Sequence, residues 1–416
     1  MPPVDPVREV IGLSRAEQVL AIARRLVAAP SPNPPLDTEG VAGVAATCLR
    51  EAIPGVALNV YRAGEVTNLV ARVQGRGPGR RVIFNGHLDT YPVGDAALWT
   101  MDPAGDVQNG RLYGRGAADM KGGIAASIVA LAALAENAAH WDGEAVLTLA
   151  GDEESMGPQG TRWLMDHVPH ATGDAVIIGD AGSPHVLRFG EKGFLWVDVA
   201  ATGRAAHGAH VHLGENAIDR LCDALEALKI ALAALPVEAP EHVTRAIAAS
   251  QSISEPLAGP GEAETLGRLT VNVGRIDGGT SPNLVPSTAR AALDIRIPVG
   301  LAMELVEAEL SRALDRPGIV FAVHRRFAPN FTSPDHALVT TAASVAAEVT
   351  GQPVAVNMRV GGSDSRWFRM AGLPTIVYGP TPYGMGGPDE NVQVVELDQI
   401  ARVHALTAYD LLRMSS

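Results

Sequence analysis

The 416-residue chain has only two cysteines, Cys48 and Cys222, too few for a disulfide framework. Each is expected to be a small buried apolar residue rather than a nucleophile. Positive charge is also scarce: 33 Lys and Arg face 46 Asp and Glu, a formal net charge of −13. Such a chain repels phosphate backbones and anionic bilayers, and no basic patch offsets this. Neither nucleic acid nor membrane is expected as a partner, and the substrate should be a small molecule. Residues 1–10 carry three prolines and two acids instead of a basic region followed by an apolar stretch, so no secretory leader is expected and the compartment is read as cytoplasmic. The longest apolar run, 124–135, is Ala-rich and short of the ~20 residues that span a bilayer. It reads as a buried helix. Internal repeats and low-complexity segments are missing as well.

What is present is an ordinary globular composition, 47% hydrophobic and 19% charged. The length exceeds what one core usually reaches, which predicts two units. Four short β-branched and aliphatic runs, at 81–84, 145–149, 175–178 and 375–378, are separated by helix-like stretches such as 124–136 and 161–167. Continuous apolar runs of this length predict strands buried on both faces of an α/β sheet, mostly parallel and sandwiched by helices. From about 191 the texture changes to alternation at 194–199 and 293–297, with a helix-like segment at 215–235 between them. The expected organisation is a catalytic unit of residues 1–190 and 328–416, interrupted by a smaller α+β insert at 191–327.

Ionisable groups follow the predicted strands: His87 and Asp89 after the first, Asp152, Glu153 and Glu154 after the second, Asp180 after the third. Open α/β sheets bind ligands beyond the carboxyl ends of their strands, so these segments should converge. His87 could ligate a metal while Asp89 orients its ring, although an H-x-D alone is more often a satisfied structural histidine. Asp119, in GRGAADMKGG at 114–123, taken alone would cap the helix that follows. Neither a Walker spacing nor the third glycine of a dinucleotide fingerprint accompanies it. In GDEES at 151–155, three adjacent acids at the end of a buried strand would repel unless a cation or proton offsets them.

HLDT at 87–90, GRGAADMKGG, GDEES and GDAG at 179–182 together resemble, in order and spacing, the co-catalytic metallopeptidase family of acetylornithine deacetylase, succinyl-diaminopimelate desuccinylase and carboxypeptidase G. The resemblance continues through 205–218, 278–286, 294–296, GGSDSR at 361–366 and PDENV at 388–392, nearly the whole chain. It implies that Asp119 bridges two metal sites, with His87 and Asp180 completing the first and Glu154 belonging to the second. Asp89 would orient His87, and Glu153 would be the general base that later protonates the departing nitrogen. His207 matches a lid histidine that reaches a neighbouring subunit's site, so a homodimer or higher homo-oligomer is implied. Asn283 and Arg296 match positions that hold a substrate carboxylate. His210 and His212 read as ordinary surface or packing histidines.

One position departs from the pattern. The family's H-x-x-D-E places a histidine where this chain has Gly386, and glycine has nothing to ligate with. His404 lies too far along, in a predicted helix, to replace it. The expectation is therefore one divalent transition metal per chain, among Mn, Zn, Co and Fe. The function implied is metal-dependent hydrolysis of a carbon–nitrogen bond in a small carboxylate-bearing substrate, an N-acyl amino acid or dipeptide. Two alternatives stand beside it: an aminohydrolase releasing ammonia from an aromatic amine such as 5-nitroanthranilate, and an inactive binding homologue.

Overall fold

A computed structural model describes residues 5–414, so the first four and last two residues of the expected catalytic unit lie outside it. The four apolar runs form the strands Arg81–His87, Glu144–Ala150, Ala175–Ile178 and Thr375–Val377. They are mutually parallel, as expected, in the order Glu144–Ala150, Arg81–His87, Ala175–Ile178, Thr375–Val377. They lie within a nine-stranded sheet whose other pairings are mostly antiparallel. The hairpin Ala57–Ala63/Val66–Gln74 accounts for one such pairing, since a two-residue connection cannot make a parallel crossover. The whole sheet is therefore mixed, with its parallel part at the centre.

The helix Gly122–Glu136 packs on this centre. Its composition is almost entirely apolar, and the helical stretch Ala117–Glu136 is long and apolar enough to cross a bilayer, longer than the 124–135 run predicted. Yet 94% of its 18-residue apolar window is buried against protein, which is where an all-round apolar helix belongs in a globular fold. Close approach is enforced by glycine: a Cβ on Gly123 would fall 1.8 Å from the carbonyl oxygen of Gly179. The C-terminal helix Val394–Arg413 lies alongside and completes the core with Leu397, Ile400, Val403 and Leu406.

A second, four-stranded antiparallel sheet runs Thr270–Gly278, Thr288–Ile297, Gly193–Thr202, Ile319–Phe327. Alternation along Thr288–Ile297 sends Ala289, Ala291, Leu293, Ile295 and Ile297 into a separate core with the helices Ala217–Ala233 and Met303–Leu314. The helices Glu241–Ala258 and Glu262–Gly267, although between these strands in sequence, bury Val243, Ile247 and Leu266 in the core of the large sheet. Their tie is polar too: Glu262 accepts from Arg188 at 3.0 Å and from Asn357 at 3.1 Å. Cys48 is buried as expected, but Cys222 is exposed on the helix Ala217–Ala233, because its position falls on the solvent side of that helix.

His404 is wholly buried in the C-terminal helix. Its Nε2 lies 2.8 Å from the Tyr378 carbonyl, which can only accept, so Nε2 carries the proton and Nδ1 accepts from Ser127 at 3.2 Å. Burial pushes its pKa down to about 4. The unfolded chain, with an ordinary histidine near ~6.5, binds more protons below that pH, so the stabilisation present above it is lost as pH falls toward 4. Between pH 7 and 5 the loss from this residue is about 2 kcal/mol. Urea unfolding at both pH values should show a smaller pH slope for His404→Leu than for the native chain; equal slopes would refute the assignment.

Candidate metal centre

His87 ends its strand and pairs in register with Ala150, so the turn after Ala150 rises beside it. That turn is shaped by Asp89. Its buried carboxylate accepts the backbone N–H of Glu153 at 3.2 Å and of Glu154 at 3.0 Å, while Asn33 donates to it at 2.9 Å. The His87 ring is oriented by the Asp89 carbonyl, 2.9 Å from Nδ1, with the nearest Asp89 carboxylate oxygen at 3.6 Å. Opposite stands Asp119, 3.0 Å from His87 Nε2. The loop carrying Asp119 is pinned by Glu390, which accepts from the N–H groups of Ala118 at 3.0 Å and Asp119 at 3.2 Å. Gly116 makes the loop possible by entering the left-handed region at φ +81°.

Donor atoms of His87, Asp119 and Glu154 all lie within 4.8 Å of one another. Glu154 Oε1 is buried with no hydrogen-bond partner. Burial and the neighbouring Asp119 charge push the Glu154 pKa up to about 10. An unpartnered buried oxygen among like charges is the state a divalent cation relieves, and one imidazole with carboxylates is a donor set suited to a transition ion. The residues present therefore fit a metal.

Two of the neighbouring carboxylates have guanidinium partners instead. Arg366, fully buried, donates to Glu153 at 2.9 Å, and Arg359 donates to Asp180 at 2.6 Å. The other Asp180 oxygen accepts the Ala181 N–H at 2.5 Å, so Asp180 stands beside the three-residue cluster rather than inside it. Burial raises Glu153 to about 7, with Arg366 and His87 opposing the shift. Burial disfavours a charged His87, but the hydrogen bond to the Asp119 carboxylate and the nearby Asp89 carboxylate outweigh it and hold its pKa above the ordinary range.

Where the pattern expects a histidine, a Cβ on Gly386 would meet only the Tyr91 ring, at 3.8 Å. Burial, and after it the charge of the nearby Glu154, raise the Tyr91 pKa. On the smaller sheet's side of the chain, His207 and Asn283 come together, since Gly208 N–H donates to the Asn283 carbonyl at 2.7 Å. Both are exposed, and His207 contributes no atom to the cluster. His210 and His212 are exposed too. Arg296 is paired with Asp294 at 2.8 Å and lies over the Phe194 ring, with its buried Nη1 unpartnered.

The sequence profile of the peptidase family M20/M25/M40 matches residues 83–410, a span that includes every group just described between His87 and Glu390. The chain belongs to peptidase family M20/M25/M40. It is 31% identical over 404 residues to a succinyl-diaminopimelate desuccinylase of Rhodospirillum centenum, covering 94% of this chain and 96% of that one. Its fold is similar to an M20 family metallo-carboxypeptidase of Sulfolobus solfataricus, with a TM-score of 0.76 at 20% identity, covering 95% of this chain and all of the other. Human carnosine dipeptidase 1 follows at a TM-score of 0.71 and 16% identity, with 98% and 99% covered. The chain is a metal-dependent carbon–nitrogen hydrolase, and the desuccinylase relatives favour that reading over aromatic deamination or binding alone.

Three residues near the M20/M25/M40 centre carried no role in the sequence: Arg366, Arg359 and Tyr91. Arg366 was at least visible, as the last residue of GGSDSR. Its pairing with Glu153 has a measurable consequence. Arg366→Met leaves a buried carboxylate alone and should cost about 3 kcal/mol of stability. In combination with Glu153→Gln the cost should fall short of additivity by on the order of 2 kcal/mol, read from urea unfolding. Additive losses would show that the pair is not coupled.

Proposed function

We propose that the protein hydrolyses the amide bond of a small carboxylate-bearing substrate, an N-acyl amino acid or a dipeptide, with one divalent transition ion per chain. The observation that carries this reading is the buried His87–Asp119–Glu154 cluster, with an unpartnered Glu154 oxygen and Glu153 clamped beside it by Arg366. His87 and Asp119 are the fixed ligands. Glu154 completes the cluster, and Asp180 would join the donor set on loosening its hold on Arg359. Gly386 supports a single ion, because its place offers no donor atom. When bound, the ion polarises the scissile carbonyl and makes water a stronger acid.

The remaining roles fall to the chain itself. Glu153 takes the proton of the attacking water and hands it to the departing nitrogen, held in line by Arg366. Asp89 fixes both the His87 ring, through its carbonyl, and the Glu153–Glu154 turn, through its carboxylate. Arg296, which has an unpartnered Nη1, and Asn283 receive the substrate carboxylate. The segment 191–327 acts as a lid, anchored on the large sheet by Glu241–Ala258, and the exposed His207 serves the site of a second copy in a homodimer. Free thiols at Cys48 and Cys222 suit the cytoplasm.

Two experiments test this. Glu153→Gln and His207→Ala should each lose about 10²- to 10⁴-fold in kcat. Metal content should stay near one ion per chain by elemental analysis, and mixing the two variants should restore part of the activity. Two ions per chain, or no recovery on mixing, would overturn the single-ion or the shared-site assignment respectively. A panel of N-acyl amino acids, dipeptides and aminobenzoates on metal-loaded enzyme should yield carboxylic acid and amine; ammonia from an aminobenzoate with no acid co-product would overturn amide hydrolysis.

A further inference from the structure

Beside the metal centre lies a cavity of about 440 Å³. Six of its fifteen lining residues are prolines, and Tyr91, Val93 and Ala104 add to the apolar wall. It adjoins the cluster through Tyr91, which lines the cavity and stands near enough to Glu154 to feel its charge. Asn33, between the lining residues Pro32 and Pro34, donates to Asp89. The wall is tied to the site by backbone as well, with Thr90 N–H donating to Ser31 at 2.9 Å and Asn33 N–H donating to Thr90 at 2.8 Å.

Only two cations line this cavity, and neither faces it free. Arg115 donates to Glu390 at 2.5 Å and to the carbonyls of Gly386 and Gly387 at 3.1 and 3.0 Å, and its Nε, which has no partner, is buried and presents no surface to the cavity. Lys121 is 1% exposed, with Nζ on the Ala29 carbonyl at 2.7 Å. A carboxylate entering here would lose its water without gaining a partner, and would approach Glu154 and Asp119 as it did so. An uncharged ring would lose little and would gain apolar contact with the prolines and offset stacking on Tyr91. The volume falls within the range of small-ligand sites, about 300–1,000 Å³.

We propose that this cavity is a specificity pocket for an uncharged aryl group of the substrate, with Tyr91 and Val93 as its selecting residues. The inference rests on the amide-hydrolase reading for its catalytic consequence, though not for binding. It separates this chain's preference from a dicarboxylic acyl group such as succinyl.

The test has a binding arm and a turnover arm, both on metal-loaded full-length protein. Benzamide, observed by saturation-transfer NMR, should bind the native chain and be displaced from Val93→Arg, which places a guanidinium in the wall without touching a proposed ligand. In turnover, kcat/KM for N-benzoylglycine should exceed that for N-succinylglycine by at least about tenfold. Val93→Arg should reverse that order at unchanged metal content. A native preference for N-succinylglycine, or benzamide binding unaffected by Val93→Arg, would overturn the pocket. If benzamide binds as described but no N-acyl amino acid is hydrolysed, the pocket stands and the amide-hydrolase reading falls.

Discussion

Repulsion among buried carboxylates is the constraint around which the site is organised. Asp89, Asp119, Glu153, Glu154, Asp180 and Glu390 converge where parallel strands end, a density of negative charge that a low-dielectric interior does not tolerate unaided. The chain answers it with three long-range guanidinium pairs, Arg366–Glu153, Arg359–Asp180 and Arg115–Glu390. Asp89 is neutralised differently, by two backbone N–H groups and Asn33. Asp119 leans on His87. Of these acids Glu154 alone has a buried oxygen without a partner. The charge the protein has not balanced for itself marks where an ion belongs.

The scaffold that holds this balance is built for closeness. Gly123 lets the central helix approach Gly179 backbone to backbone, one residue before Asp180. The same helix begins three residues after Asp119, so its packing on the sheet sets the distance between the two acids. Small side chains along 122–136 therefore serve placement as much as burial.

Much of this was legible in the sequence because it is local. Apolar runs followed at once by His87, the 152–154 acids or Asp180 report strand ends directly. The helix-like stretches at 124–136 and 161–167 stand as the helices Gly122–Glu136 and Thr161–His167. What was not legible is contact across long sequence distances. Nothing near Glu153 announces Arg366, 213 residues away, nor does anything near Asp180 announce Arg359. Asp89 was read as orienting the His87 ring; its carbonyl lies on that ring, while its carboxylate also holds the neighbouring turn, because an acidic side chain at that depth takes the nearest unpaired N–H groups. The segment 241–267 looked like part of the insert, and only packing reveals that its apolar face belongs to the other core. Tyr91 was hidden for a simpler reason: an isolated aromatic between two motifs carries no pattern.

The grip of Glu390 on the Asp119 loop bears on how the protein is made. The N–H groups of Ala118 and Asp119 find their acceptor 272 and 271 residues further along the chain. During ribosomal synthesis the loop must therefore wait, unbraced, while the rest of the polypeptide emerges. The donor set acquires its final spacing only after the closing strand Asn391–Gln393 and its helix have docked. A nascent chain stalled before Glu390 would present the acids without the cradle.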